Sequence, residues 1–267
     1  MKGSYPIVAP TFLLLAACWL ASPVLAGSLS DFEKAATEQP KVNPPPTRQE
    51  RQRASDYNNE NTGGSRLDDA FFDAFFVMCV HSGRRTLERM RKSESPDLAL
   101  IPLREIGAPD LPLAQADVNY QRIDSRTHGI DARALIGYGP VGAQYRQTRY
   151  TEKGASDPLN FIQMHGLFRM SWSEKVEFGM GYGGLILDGR KRNDGFSMTY
   201  PLSFFPTRHL GLNFTPTWSW INDHAITDCD SSVAYVNKYF SVRAGYRRIK
   251  VRDQALSGPY VGLSFHF

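Results

Sequence analysis

The chain of 267 residues carries 31 Lys and Arg against 27 Asp and Glu, a formal charge of +4, and 42 % apolar residues. That length holds one sizeable domain and an appendage, and so small an excess of charge does not point to nucleic acid. Three cysteines without CxxC spacing give no support for a metal centre.

At the N-terminus, Lys2 precedes a short apolar core over residues 12–20, broken by Ser22-Pro23 and followed by Val24-Leu25-Ala26 before Gly27. A basic start, a short apolar core and a small-residue site describe a cleaved signal peptide over 1–26. Two other readings stay open. One is an uncleaved anchor; the other is a lipoprotein signal in which Leu15-Ala16-Ala17-Cys18 forms the box and Cys18 is lipidated. Residues 27–65 are rich in Pro, Gln, Asn, Glu and Arg and read as a disordered periplasmic linker, because such a stretch buries too little apolar surface to order itself. Over 66–95 the pattern changes. Phe71, Phe72, Phe75, Phe76, Met78 and Cys79 recur at helical spacing, with Asp68, Asp69 and Asp73 first and Arg84, Arg85, Arg89, Arg91 and Lys92 last. Acid first and base last suits the helix dipole, so an amphipathic helix is expected, docked on the periplasmic mouth or the membrane surface, or plugging the lumen.

From 114 to 267 the period is two. In residues 210–221, Leu210, Leu212, Phe214, Trp218 and Trp220 share one face, and Gly211, Asn213, Thr215, Thr217 and Ser219 the other. Segments 114–123, 129–139, 141–151, 159–172, 176–188, 195–205, 210–221, 232–239, 241–251 and 259–267 behave alike. A soluble sandwich also alternates. Three features favour a membrane barrel: runs of roughly ten residues, the length a tilted strand needs to span a bilayer; aromatic residues near strand ends, such as Tyr138, Trp172, Tyr200 and Trp218; and a second face too polar for a dry core. Short periplasmic turns are expected to alternate with longer outer loops, the latter including 222–231 and 252–258.

The polar face is expected to carry Asp117, Asn119, Asp131, Arg133, Arg146, Gln163, His165, Arg169, Glu177, Arg243 and Arg247. These side chains suit either a charge-lined channel or a salt-bridged core, since small barrels have interiors barely wider than their own side chains. Asp223 and His224 in an outer loop, Asp188 and Asp194 around another, and Ser264 with His266 are the pairs from which a hydrolase could be built. Gly189-Arg190-Lys191-Arg192 could grip phosphates of lipopolysaccharide. Cys229, placed in an outer loop, is not expected to meet Cys79.

The chain closes on Tyr260-Val261-Gly262-Leu263-Ser264-Phe265-His266-Phe267. With Tyr260, Gly262, Phe265 and a terminal Phe267, this resembles the C-terminal insertion signal of small bacterial outer-membrane β-barrel proteins. The resemblance covers 114–267 and implies the outer membrane of a Gram-negative bacterium, with the barrel-assembly machinery, outer-membrane lipid and lipopolysaccharide as partners. It implies no activity. Together the readings give an all-β fold, an antiparallel transmembrane β-barrel of about ten strands preceded by a short amphipathic helix. The expected role is a structural scaffold or narrow passive pore without cofactor or metal. The alternatives are an outer-membrane hydrolase with a site at the outer rim and a surface binding protein acting through its outer loops.

Overall fold

A computed structural model describes residues 28–38, 113–138, 140–155, 157–171, 175–207, 209–237 and 240–266. The expected helix at 66–95 and the terminal Phe267 lie outside these residues, as do the signal peptide and most of the linker.

Alternating apolar and polar residues build β1 (Leu113–Arg122), β2 (Thr127–Tyr138), β3 (Val141–Glu152), β4 (Leu159–Ser171) and β5 (Val176–Asp188). They continue through β6 (Arg192–Thr199), β7 (Leu202–Thr207), β8 (Leu210–Ile221), β9 (His224–Val236), β10 (Phe240–Val251) and β11 (Gln254–His266). Apart from β6 and β7, which do not pair with each other, each strand pairs antiparallel with its sequence neighbours, and β1 pairs with β11, so the sheet closes. Strands β6 and β7 form one crossing, since both pair with β5 on one side and β8 on the other. Pro201 sits at the break; it has no N–H for the ladder, and its carbonyl instead accepts from Gly179 N–H at 2.7 Å. The result is a closed antiparallel barrel of ten strands.

Outward positions are mostly apolar and exposed, among them Val118, Tyr120, Ile130, Ile136, Tyr138 and Val141. Inward positions are mostly polar, which is the inversion expected where lipid replaces water outside.

Two strands begin earlier than their composition suggests. Strand β9 starts at His224, after a two-residue turn whose Asn222 and Asp223 have φ of 48° and 63°. Strand β11 starts at Gln254, after Arg252-Asp253, with φ of 49° at Arg252. Left-handed residues match the twist of a tight hairpin, and Asn and Asp tolerate that conformation well. The expected outer loops at 222–231 and 252–258 are thereby corrected to two-residue turns. Cys229 consequently lies in a strand rather than a loop, buried and unbonded.

Within the stretch read as linker, Leu29–Thr37 is a helix, α1. Ser28 caps it, its side chain accepting from Asp31 N–H. Leu29, Phe32 and Ala36 fall on one face and are buried in the barrel end formed by the β3–β4, β5–β6, β8–β9 and β10–β11 turns. There they meet Tyr150, Leu159, Phe161, Leu187, Ile226 and Val251; the Phe32 and Phe161 rings pack edge to face with centroids 5.8 Å apart. Burying Leu29 and Phe32 stabilises the docked helix by about 2 kcal/mol each. Three inward apolar residues in nine are too few for composition alone to mark the helix. Glu38 at its end and Leu113 at the start of β1 lie at opposite ends of the barrel.

Candidate functional site

The interior divides into two zones along the axis. The end that holds α1 is apolar. The middle and the opposite end, where β1 begins and β11 ends, contain an ionic layer.

Asp131 on β2 is its centre. It accepts from Arg146 Nε at 2.7 Å, Arg247 Nη1 at 3.0 Å, Thr148 Oγ1 at 2.7 Å and Asn119 Nδ2 at 2.8 Å. Arg146 also reaches Asp230 Oδ2 at 2.7 Å. Strand β3, which carries Arg146, and β9, which carries Asp230, stand five positions apart around a barrel of ten, so this ion pair crosses the lumen from wall to wall. Arg247 holds Asp228 through Nε at 2.9 Å and Nη2 at 2.6 Å, a two-pronged contact whose planar geometry fits a carboxylate. Toward the other end, Asp117 accepts from Arg133 and from Arg243 Nη1, the latter at 2.9 Å. Arg133, Arg146, Arg243 and Arg247 thus stand against Asp117, Asp131, Asp228 and Asp230. Equal numbers leave the layer without net charge, the condition under which buried ions are tolerable in a poorly solvated interior.

The long side chains reach over strands that present glycine inward. A Cβ at Gly129 would lie 2.6 Å from Tyr150, one at Gly245 2.7 Å from Tyr260, and one at Gly262 2.0 Å from Asn119. Tyr150 donates to Gln121 Oε1 at 2.8 Å, and Gln121 Nε2 donates to the Arg247 and Gly258 carbonyls at 2.9 and 3.1 Å. This polar seam joins the ionic layer to the apolar zone.

The other candidates on the polar face are placed as follows. Gln163 donates to Asp228 at 3.3 Å. His165 Nε2 lies 2.9 Å from Ser197 Oγ, which lies 2.8 Å from Ser219 Oγ. That chain has the elements of a hydroxyl–imidazole pair. However, His165 is 3 % exposed and both serines at most 1 %, so a substrate has no approach. Half-buried Arg169 lies over Gly137 and Gly142, where a Cβ would come within 2.9 and 3.5 Å of its side chain. Glu177, also half-buried, stands opposite Ser171 and Ser203.

The rim pairs do not assemble a hydrolytic site. His224 Nε2 lies 2.6 Å from the Glu38 carbonyl and beside Arg252, so its ring secures the end of α1. Asp188 stands in register with Arg192, and Asp194 with Ile186. Ser264 is buried, and His266 Nε2 lies 3.2 Å from Ser241 Oγ. At the 189–192 loop it is backbone that has a role: Arg190 and Lys191 N–H donate to Glu33 Oε1 at 2.6 and 3.2 Å. Of the C-terminal signal, Phe265 faces outward and is 43 % exposed, while Tyr260 faces inward and donates to Asp230.

Asp228, Asp230, Thr148 and Tyr150 were not singled out in the sequence. The first two fell in the supposed 222–231 loop. The available signal was their spacing with Ile226 and Ser232, which continues the inward alternation of β9.

No known protein-family model matches the chain, and no curated protein matches it. Among solved structures it is similar to the KdgM porin in complex with disordered oligogalacturonate, at 9 % identity and TM-score 0.36, over 57 % of this chain and 99 % of that one. It is also similar to Neisserial surface protein A, at 16 % identity and TM-score 0.28, over 58 % and 95 % of the two chains. OmpT, an outer membrane protein of Vibrio cholerae, gives 12 % and 0.28 over 57 % of this chain and 64 % of that one. The closure of the barrel rests on its own strand register, not on these likenesses.

Proposed function

We propose that the protein is an integral outer-membrane barrel that works closed, as a membrane-embedded scaffold rather than as an open pore. The observation that carries this reading is the wall-to-wall ion pair between Arg146 and Asp230, part of a neutral layer, with the α1 stopper seated beyond it. A conducting pore needs a continuous wet path, and here the Arg146–Asp230 pair and its neighbours bridge the bore from wall to wall. Membrane insertion is supported by the exposed apolar outer wall and by the signal-like start and end of the chain. The C-terminal end of the barrel is then periplasmic and α1 closes the outer mouth.

Liposome swelling tests the closed state. Refolded protein that migrates faster before boiling is expected to leave vesicles impermeable to small sugars, and swelling at rates typical of a porin would overturn the reading. For orientation, a Ser30→Cys variant lacking other thiols is expected to react with an impermeant maleimide on intact cells, because Ser30 is exposed on α1. Labelling only after cell rupture would reverse the orientation.

A further inference from the structure

The outer wall is asymmetric in charge. Near the end where β11 finishes, outward positions are occupied by residues such as Tyr138, Val141, Phe168, Tyr235, Phe240 and Phe265, all exposed. Charged residues at outward positions of the described strands gather at the other end, beside α1. On β5 and β6 they are mixed: Asp188 faces Arg192 in register, and Asp194 follows. Across β10, β11, β1, β2 and β3 they are cations alone. Arg122, Arg149 and Lys250 are exposed, and Arg248 is half-buried beneath Lys250. Register keeps them at a similar height: Lys250 stands opposite Ala255, Arg122 opposite His128, and Arg149 opposite Ile130.

Of the nearby carboxylates, Asp253 is exposed in the β10–β11 turn, and two others are turned to other uses. Asp124 accepts from Arg126 and Thr127 N–H at 2.6 and 2.7 Å, and Glu152 accepts from Leu29 N–H at 3.0 Å. From Val141 to Arg149 on β3 the tilted strand climbs roughly 20 Å, about the depth of an apolar band. The four strand spacings from β10 to β3 spread the cations over roughly 19 Å of wall. A row of permanent cations just above an apolar band, with no outward acid on the same five strands, matches one chemistry: phosphate groups attached to acyl chains.

We propose that Arg122, Arg149 and Lys250, with Arg248 beneath them, form a docking face for the phosphates of lipid A, whose acyl chains lie against the apolar wall below. The inference rests on the outer-membrane reading above and goes beyond it by naming a lipid and a face. It also differs from a grip by the 189–192 loop, whose cations stand beside β5 and β6 with Asp188 and Asp194.

Native mass spectrometry of the refolded protein tests it, with diphosphoryl lipid A, the same glycolipid stripped of phosphate, and phosphatidylglycerol as probes. Wild-type protein is expected to retain diphosphoryl lipid A in preference to the other two. An Arg122→Gln/Arg149→Gln/Lys250→Gln variant is expected to lose that retention by about tenfold or more while still migrating as a folded barrel. Replacing Arg190, Lys191 and Arg192 with Gln is expected to leave it unchanged. Equal retention of phosphorylated and dephosphorylated glycolipid by wild-type protein would overturn the proposal without any variant, and displacement by phosphatidylglycerol at equal concentration would overturn the choice of lipid A. A folded barrel without lipid preference sinks this inference alone; a wild-type chain that never folds in detergent or lipid sinks the membrane reading first.

Discussion

Replacing Arg247 with Leu removes the cation that ties the two acidic sides of the ionic layer together. Arg247 is 1 % exposed and contacts Asp131, Asp228 and Thr148. Once it is gone, Asp131 still has Arg146, Thr148 and Asn119. Asp228 keeps only the 3.3 Å contact from Gln163 among its hydrogen bonds. A buried carboxylate stripped of its cation costs about 3–5 kcal/mol, most of it desolvation no longer offset. Removing the stranded acid as well, in Arg247→Leu/Asp228→Leu, is expected to recover at least about 2 kcal/mol, because two apolar side chains need no partners. The exposed pair between Arg252 and Glu38, at 39 % and 51 % exposure, is the control: Arg252→Leu is expected to cost at most about 1 kcal/mol. Urea unfolding in phospholipid vesicles, followed by tryptophan fluorescence, measures all three. An Arg247→Leu variant no less stable than Arg252→Leu, or a double variant no more stable than Arg247→Leu, would refute the coupling between Arg247 and Asp228.

Further expectations follow from the packing. Phe32→Ala opens a cavity under α1 at a cost of about 3–5 kcal/mol, more than the roughly 2 kcal/mol that burial of that side chain supplies; trypsin is then expected to cut after the exposed Lys34 at least about tenfold faster, and unchanged protection would count against the docked stopper. Gly183→Ala places a Cβ 1.7 Å from the Met164 carbonyl oxygen, whereas Gly166→Ala meets nothing closer than 3.9 Å; only the first is expected to lower the temperature at which folded migration on gels is lost, and equal behaviour would contradict the β4–β5 register. In a background without the other cysteines, Cys229, 8 % exposed, is expected to resist a water-soluble thiol reagent until the barrel unfolds, and rapid reaction in the folded state would place it in a loop after all.

The barrel was legible because an apolar outer wall and a polar, ion-paired interior impose the same period-two code on every crossing. In β8, for example, Leu212, Phe214 and Trp218 alternate with Asn213, Thr215 and Thr217. The code blurred where inward residues were acidic. Residues 224–230 carry Asp228 and Asp230 for the ionic layer and Ala225 and Thr227 outside, so the first half of β9 has the composition of a loop. The α1 helix was hidden for a different reason. Its order comes from a socket assembled by residues on β3, β4, β5, β8, β9, β10 and β11, and long-range burial leaves almost no trace in nine residues of local sequence. Several inward charges could be selected from alternation. Their partnerships could not, because they depend on which strands face each other across the bore.

The most direct test of the closed barrel is electrical recording from intact, refolded protein in a planar bilayer. A flat trace is expected from protein shown by gel migration to be folded and inserted. Discrete, reproducible conductance steps whose size follows ionic strength would contradict it, because they would demand a water-filled path through the layer that Arg146, Asp131, Arg247 and Asp230 bridge.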